Sequence, residues 1–156
     1  MGPSGAGKTS LLNVLAGRHR EMSGVSGGLS GCGRGGRVAG AVRVSGVEVG
    51  PAKVRGLSAY VAQEDVLPET MTCFEHLMFH AELRVKWGRC FNRADRKRRV
   101  MRELHIENIR DSRIGGELAR GISGGERRRL SISTELLTRP GLLFLDEPTT
   151  GLGKTS

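Results

Sequence analysis

Gly2-Pro3-Ser4-Gly5-Ala6-Gly7-Lys8-Thr9 satisfies the pattern G-x-x-x-x-G-K-[ST] at every fixed position. The residue types follow from what a phosphate needs. Glycines let backbone N–H groups turn inward around phosphate oxygens, where Cβ atoms would obstruct them. Lys8 adds a mobile positive charge for β- and γ-phosphates. Thr9 offers a hydroxyl to Mg²⁺. The run from Thr9 through Ser10 to Ala16 predicts a helix. Leu11 and Leu15, and Leu12 and Ala16, stand four apart, and Gly17 stops the helix. The positive end of its dipole faces the bound phosphates. A chance glycine-rich turn is the bland alternative, and it weakens only if partner motifs follow.

The chain has 156 residues, enough for one domain with a core. Its formal net charge of +9 fits a nucleic acid, an anionic membrane surface or polyphosphate ligands, and equally a solvated basic helix face. Cys32, Cys73 and Cys90 are odd in number and lack C-x-x-C spacing. Reduced thiols suit that pattern better than a disulfide scaffold. No run approaches the roughly 18 apolar residues of a membrane helix, and with the phosphate loop already at residue 2 no signal peptide is expected. In phosphate-loop folds a buried strand feeds the loop. Met1 stands directly before it here, so the chain is expected to be truncated at its start.

Residues 22–40 are rich in Gly, Ser and Arg and read as a flexible surface insertion. Ala41–Val44 and Val47–Val49 alternate around Ser45-Gly46, a hairpin signal. Leu57–Ala62 is a short apolar strand ending at Gln63. Thr72 and Glu75 form a capping box, so a helix begins there, with Phe74, Leu77, Met78 and Ala81 on one face. His76 and His80 are four apart, but no H-E-x-x-H glutamate accompanies them, so packing is expected rather than metal. Arg84–Arg102 holds nine Lys or Arg and one acid, Asp95. Asn92 caps a helix there with Val100, Met101 and Leu104 inward. Only Trp87 and Phe91 lie near, too few aromatics to favour nucleic acid. Ser123-Gly124-Gly125-Glu126 is a second capping box, opening a helix to about Thr138. Its glycines permit close backbone approach, and its free N–H groups suit an anion. An ordinary cap is the alternative. Leu142–Leu145 is a continuous apolar strand, expected to be buried on both faces of a parallel sheet.

That strand ends at Asp146-Glu147. An apolar strand delivering Asp146 is the Walker B pattern, with the carboxylate beside Thr9 and Mg²⁺. Glu147 can accept a proton from the attacking water. Gln63, at the end of another strand, can orient that water and touch the metal.

At this point "GPSGAGKTS", "VAQED", "ISGGERRRLSIS" and "LLFLDEPTTGL" together resemble the nucleotide-binding domain of an ATP-binding cassette (ABC) protein. "LLNVLAGR", "DSRIGG" and the stretch around "RGISGGERRRLSISTELLTRP" are similar to the ABCG half-transporters. The resemblance implies an α/β phosphate-loop ATPase fold with a parallel sheet core, an antiparallel hairpin and an inserted helical subdomain. The parts would be the loop and its helix at 1–18, a Gly-rich loop at 22–40, strands to Gln63 at 41–63, the helical subdomain at 72–139 and the Walker B region at 142–152. It implies that Gly2, Ser4, Gly5, Ala6, Gly7, Lys8, Thr9 and Ser10 bind ATP with Mg²⁺, and that Thr9, Gln63 and Asp146 hold the metal. Glu147 would be the catalytic base, assisted by Gln63, which would also sense the membrane domain. Ser123, Gly124, Gly125 and Glu126 would form the signature motif, gripping the γ-phosphate of ATP held by a second nucleotide-binding domain. Hydrolysis would open this dimer and drive transport through a transmembrane domain not contained in these residues, at the cytoplasmic face of a membrane, with no nucleic acid involved.

The departures are specific. Gly153 stands where the family's D-loop carries aspartate, and a switch histidine and an adenine-stacking aromatic are absent from this stretch. The isolated chain is therefore expected to turn over little ATP. Two further readings stay open: a soluble ABC ATPase acting on nucleic acid or ribosomes, which the basic helix suits, and a non-catalytic remnant, which Gly153 suits.

Overall fold

The computed structural model describes residues 6–18, 40–85, 93–116 and 121–148. Gly2, Ser4, Gly5, Cys32, Cys90, Asn92, Gly153 and nearly all of the Gly-rich segment lie outside them. The elements in order are α1 (Lys8–Leu15), β1 (Val42–Val44), β2 (Val47–Val49), α2 (Pro51–Leu57), β3 (Ser58–Val61), α3 (Cys73–Arg84), α4 (Arg93–Glu103), a 3-10 turn (Glu107–Ile109), α5 (Gly124–Leu136) and β4 (Leu142–Leu145). The fold is mixed α/β, with a parallel sheet and an antiparallel hairpin. The chain forms two compact units. One comprises residues 1–60 with 141–146, the other 61–140 with 147–156.

In the first unit, α1 begins one residue earlier than its sequence suggests, at Lys8. Leu11 stays 60% exposed, so Leu11 and Leu15 do not form a buried stripe. Ala16 and Gly17 close the helix instead. Gly17 has φ 67°, and a Cβ there would stand 2.7 Å from the carbonyl oxygen of Pro51. Only glycine permits that turn and that approach together. Arg55 seals the contact by donating to the Gly17 carbonyl at 2.5 Å.

The hairpin pairs Val42 with Val49 and Val44 with Val47 in antiparallel register. Ser45 (φ 51°) and Gly46 (φ 81°) form its turn, the left-handed pair that matches strand twist in a two-residue loop. Helix α2 was not legible from periodicity. Its start is set by Pro51 in the first helical position, where a missing N–H costs nothing. β3 pairs with β4, and the Gly141 N–H reaches the Leu57 carbonyl at 2.9 Å where β4 begins. β4 is half-buried along its whole length rather than enclosed, since the described sheet has only two strands and offers it fewer neighbours.

The second unit is built on α3, α4 and α5. Cys73, Leu77 and Ala81 of α3, Val100 and Met101 of α4, and Leu130 of α5 meet with Ile106, Ile114 and Leu137 in one core. Met78 stays partly exposed, where the Lys97 ammonium meets its sulfur. Both predicted capping boxes form. The Thr72 N–H donates to Glu75 at 2.8 Å and the Glu75 N–H to Thr72 Oγ1 at 3.2 Å. Two more first-turn amides of α3, Cys73 and Phe74, donate to the carbonyls of Ser112 and Arg110. The orphan donors of that helix start are thus consumed by the segment leading to the second cap. Arg84 of α3 grips Glu135 of α5 through two parallel bonds of 2.6 and 2.7 Å, a planar fork-to-carboxylate match.

His76 and His80 pack against each other with ring centroids 4.5 Å apart. No group of three or more metal-binding side chains occurs among the described residues. Thr134 spends its hydroxyl proton on the Leu130 carbonyl at 3.0 Å. The 3.1 Å contact between Thr134 Oγ1 and His76 Nε2 therefore needs His76 to donate from Nε2. Its buried Nδ1 has no partner among the described residues. A second proton would place charge in the core beside His80. Burial first, and then the charge of His80, push the His76 pKa down to about 4. The folded value lies below the unfolded one of about 6.5, so the unfolded chain binds more protons between them. Stability is then full above pH 6.5 and falls as pH drops toward 4. The melting temperature of the chain should decline across that window, and His76→Leu should flatten the decline. An equal decline in the variant would show that His76 is not the titrating group.

Candidate functional site

Each unit holds candidate functional residues of its own. In the first, Gly7 takes φ 80° and ψ 14° and turns the chain into α1. No side chain caps this helix start, and no acid stands in its first turn. That is the reverse of α3 and α5, whose first turns are closed by a hydroxyl and a glutamate. The donors at the start of α1 suit an external anion, and Lys8 adds a cation at the same place. A Cβ built on Gly7 meets nothing within 4 Å. Glycine is needed there for the left-handed turn, and the space beside it is open to a ligand. Ala6, Thr9 and Ser10 are exposed and Lys8 is half-buried. A polyphosphate fits this donor set. A carboxylate and a hydroxyl, from Asp146 and Thr9, are the hard oxygen donors that Mg²⁺ takes.

Asp146 follows β4 and is 2% exposed. The Tyr60 hydroxyl, from β3, donates to its Oδ2 at 3.3 Å. Burial first, and then the carboxylate beside it, hold the Tyr60 phenol above its ordinary pKa, so it stays a donor. The Arg18 guanidinium lies over the Tyr60 ring, 4.7 Å from its centroid. Tyr60 was not singled out from sequence, because an aromatic inside a short apolar strand reads as core.

In the second unit, Gln63 and Glu147 come together. The Gln63 side-chain amide donates to Glu147 Oε2 at 3.2 Å. Glu147 has φ 46°, a left-handed conformation that costs a non-glycine residue on the order of 1 kcal/mol or more. Strain of this kind aims a side chain where a regular strand would not.

Ser123 and Gly124 are exposed and Gly125 is half-buried. The Ser123 N–H and hydroxyl both donate to Glu126, at 2.8 and 2.7 Å, and the Glu126 N–H returns a bond of 3.4 Å to Ser123 Oγ. Those bonds from the Ser123 hydroxyl and backbone hold the Glu126 pKa below the usual carboxylate range. Glu126 therefore orients Ser123 from behind. Arg127 donates to the carbonyls of Ile114 and Gly115 at 3.1 and 2.5 Å, fixing the "RIGG" segment to the same helix.

An α/β fold carrying a phosphate-loop helix, a strand ending in Asp146-Glu147 and a Ser-Gly-Gly helix start defines an ATP-binding cassette. The family model for ABC transporters matches residues 1–150, and the chain belongs to that family. Over its whole length it is 43% identical to ABC transporter G family member 24 of Dictyostelium discoideum. It is 41% identical to the broad substrate specificity ATP-binding cassette transporter ABCG2 of Rattus norvegicus. Against the ABC transporter G family member STR of Medicago truncatula it is 42% identical. It spans 12%, 22% and 18% of those three proteins. Among solved structures, a putative ABC transporter ATP-binding protein from Pyrococcus furiosus superposes with a TM-score of 0.67. That match covers 98% of this chain and 62% of the other at 20% identity, a likeness of fold. No helix among the described residues is long and apolar enough to cross a membrane.

Proposed function

We propose that this chain binds Mg-ATP and hydrolyses it within a G-family ABC transporter, working in a pair of cassettes attached to membrane-spanning domains. The observation that carries this reading is the uncapped start of α1 behind the left-handed Gly7, an anion site inside a complete phosphate-loop motif. The similarity to G-family transporters along the whole chain supports the transport role.

In this reading the backbone N–H groups of Gly2 and of residues 4–9 hold the β- and γ-phosphates, with Lys8 neutralising their charge. Mg²⁺ supplies charge neutralisation and in-line alignment when bound, with Thr9, Gln63 and Asp146 as its protein partners. Glu147 takes the proton from the attacking water, and Gln63 orients both. Ser123, Gly124 and Gly125 face the γ-phosphate of a partner cassette, with Glu126 fixing the serine rotamer. Catalysis is then positioning and charge stabilisation rather than covalent chemistry.

The test is titration of the purified chain with a fluorescent ATP analogue, with and without Mg²⁺, alongside phosphate release by the assembled protein in liposomes. Saturable, Mg²⁺-strengthened binding by the chain is expected, with turnover confined to the assembly. No binding by a chain that melts cooperatively would overturn the reading.

A further inference from the structure

Arg128 sits in the middle of three consecutive arginines on α5, a run that reads as a solvated basic face. Its guanidinium is instead buried, at 2% exposure. One nitrogen, Nη1, donates to the Ala62 carbonyl at 2.5 Å and to Asp65 Oδ1 at 2.9 Å. These two acceptors bracket Gln63 in sequence. Residues 63–67 form neither helix nor strand, so side-chain ties carry more of the work of fixing that segment than they would in an element with its own ladder. Gln63 in turn donates to Glu147 at 3.2 Å.

We infer that Arg128 is a positioning residue for hydrolysis: it ties the Ser-Gly-Gly helix to the Gln63 segment and thereby sets where Gln63 and Glu147 stand. The inference rests on the proposed roles of Gln63 and Glu147. Both bonds converge on one buried nitrogen. A movement of α5 is thus passed to the backbone just before Gln63 and to the side chain just after it. The start of the same helix carries Ser123 and Gly124, which face a partner cassette in the proposed function. Engagement of a partner at one end of α5 and placement of the water-orienting amide near its other face are then one mechanical event. The adjacent Arg127 makes a useful contrast, because its bonds run to Ile114 and Gly115 and touch neither Gln63 nor its flanks.

Arg128→Met keeps length and apolar packing while removing both bonds. In the assembled protein it is expected to lower kcat by about 10²-fold, the scale of a small misplacement at a reacting centre, with the KM for ATP changed less than about twofold, since the phosphate loop is untouched. Arg128→Lys restores a charged donor and should recover part of that loss. In the chain itself, hydrogen exchange at the amides of residues 63–67 should quicken by about tenfold in Arg128→Met, on the scale set by loss of a charge-assisted hydrogen bond, and stay unchanged in Arg127→Met. If Arg128→Met melts below the assay temperature, Asp65→Ala removes the side-chain acceptor of the tie from its more exposed side and serves in its place. A hydrolysing wild type matched in kcat by a folded Arg128→Met or Asp65→Ala overturns the inference alone. A wild type that binds ATP without ever hydrolysing it overturns the reading of Gln63 and Glu147, and the inference with it.

Discussion

Replacing Glu147 by glutamine is expected to leave ATP bound and to slow its hydrolysis by about 10²- to 10⁴-fold, the usual contribution of a positioned general base. The substitution is well suited to the site. Glutamine keeps the side-chain length and one acceptor oxygen, so the bond from Gln63 can persist. It makes the same left-handed demand on the backbone as the φ of 46° at Glu147, since neither residue is glycine. What disappears is the ability to take a proton from water. Single-turnover hydrolysis by the assembled protein, measured beside equilibrium ATP binding, separates the two effects. A normal hydrolysis rate in Glu147→Gln would remove Glu147 from the mechanism.

Lys8→Ala is expected to do the opposite and weaken binding itself. A hydrogen bond to a charged group contributes roughly 1.5–3 kcal/mol, so ATP affinity should fall by about ten- to 150-fold. Alanine is the best helix former, and α1 begins at this position, so the helix should persist and the loss should be electrostatic. Circular dichroism gives the helix content and a fluorescent-analogue titration gives the Kd. An affinity within twofold of the unaltered chain would show that the phosphates lie elsewhere. Together the two variants separate holding ATP from cleaving it.

Much of the site was legible because its chemistry is local. The left-handed turn at Gly7, the hairpin turn at Ser45-Gly46 and the two capping boxes are each set by a few neighbouring residues. Thr72 with Glu75 and Ser123 with Glu126 find each other across a single helical turn, whatever the rest of the chain does. The strand ending in Asp146-Glu147 was equally plain, because a short apolar run between Pro140-Gly141 and an acidic pair has few other readings. Helix α2 was not plain. Seven residues with Gly56 near the end carry too little periodicity to announce a helix, and Gly17 packing on Pro51 belongs to the tertiary fold.

What the sequence alone determined is therefore the family, the phosphate-loop motif, the caps and the order of the elements other than α2 and the 3-10 turn. The tertiary structure decided which side chains serve those motifs from a distance. Tyr60 reaches Asp146 across paired strands, His76 is kept neutral by burial and the neighbouring His80 while Thr134 of another helix accepts from its Nε2, and Arg128 is drawn out of a basic run to brace the residues around Gln63. The reason is physical. Local motifs are fixed by backbone geometry over three or four residues, whereas a buried donor takes its partner from whatever acceptor the packing brings within 3 Å or so, and sequence spacing carries no record of that distance.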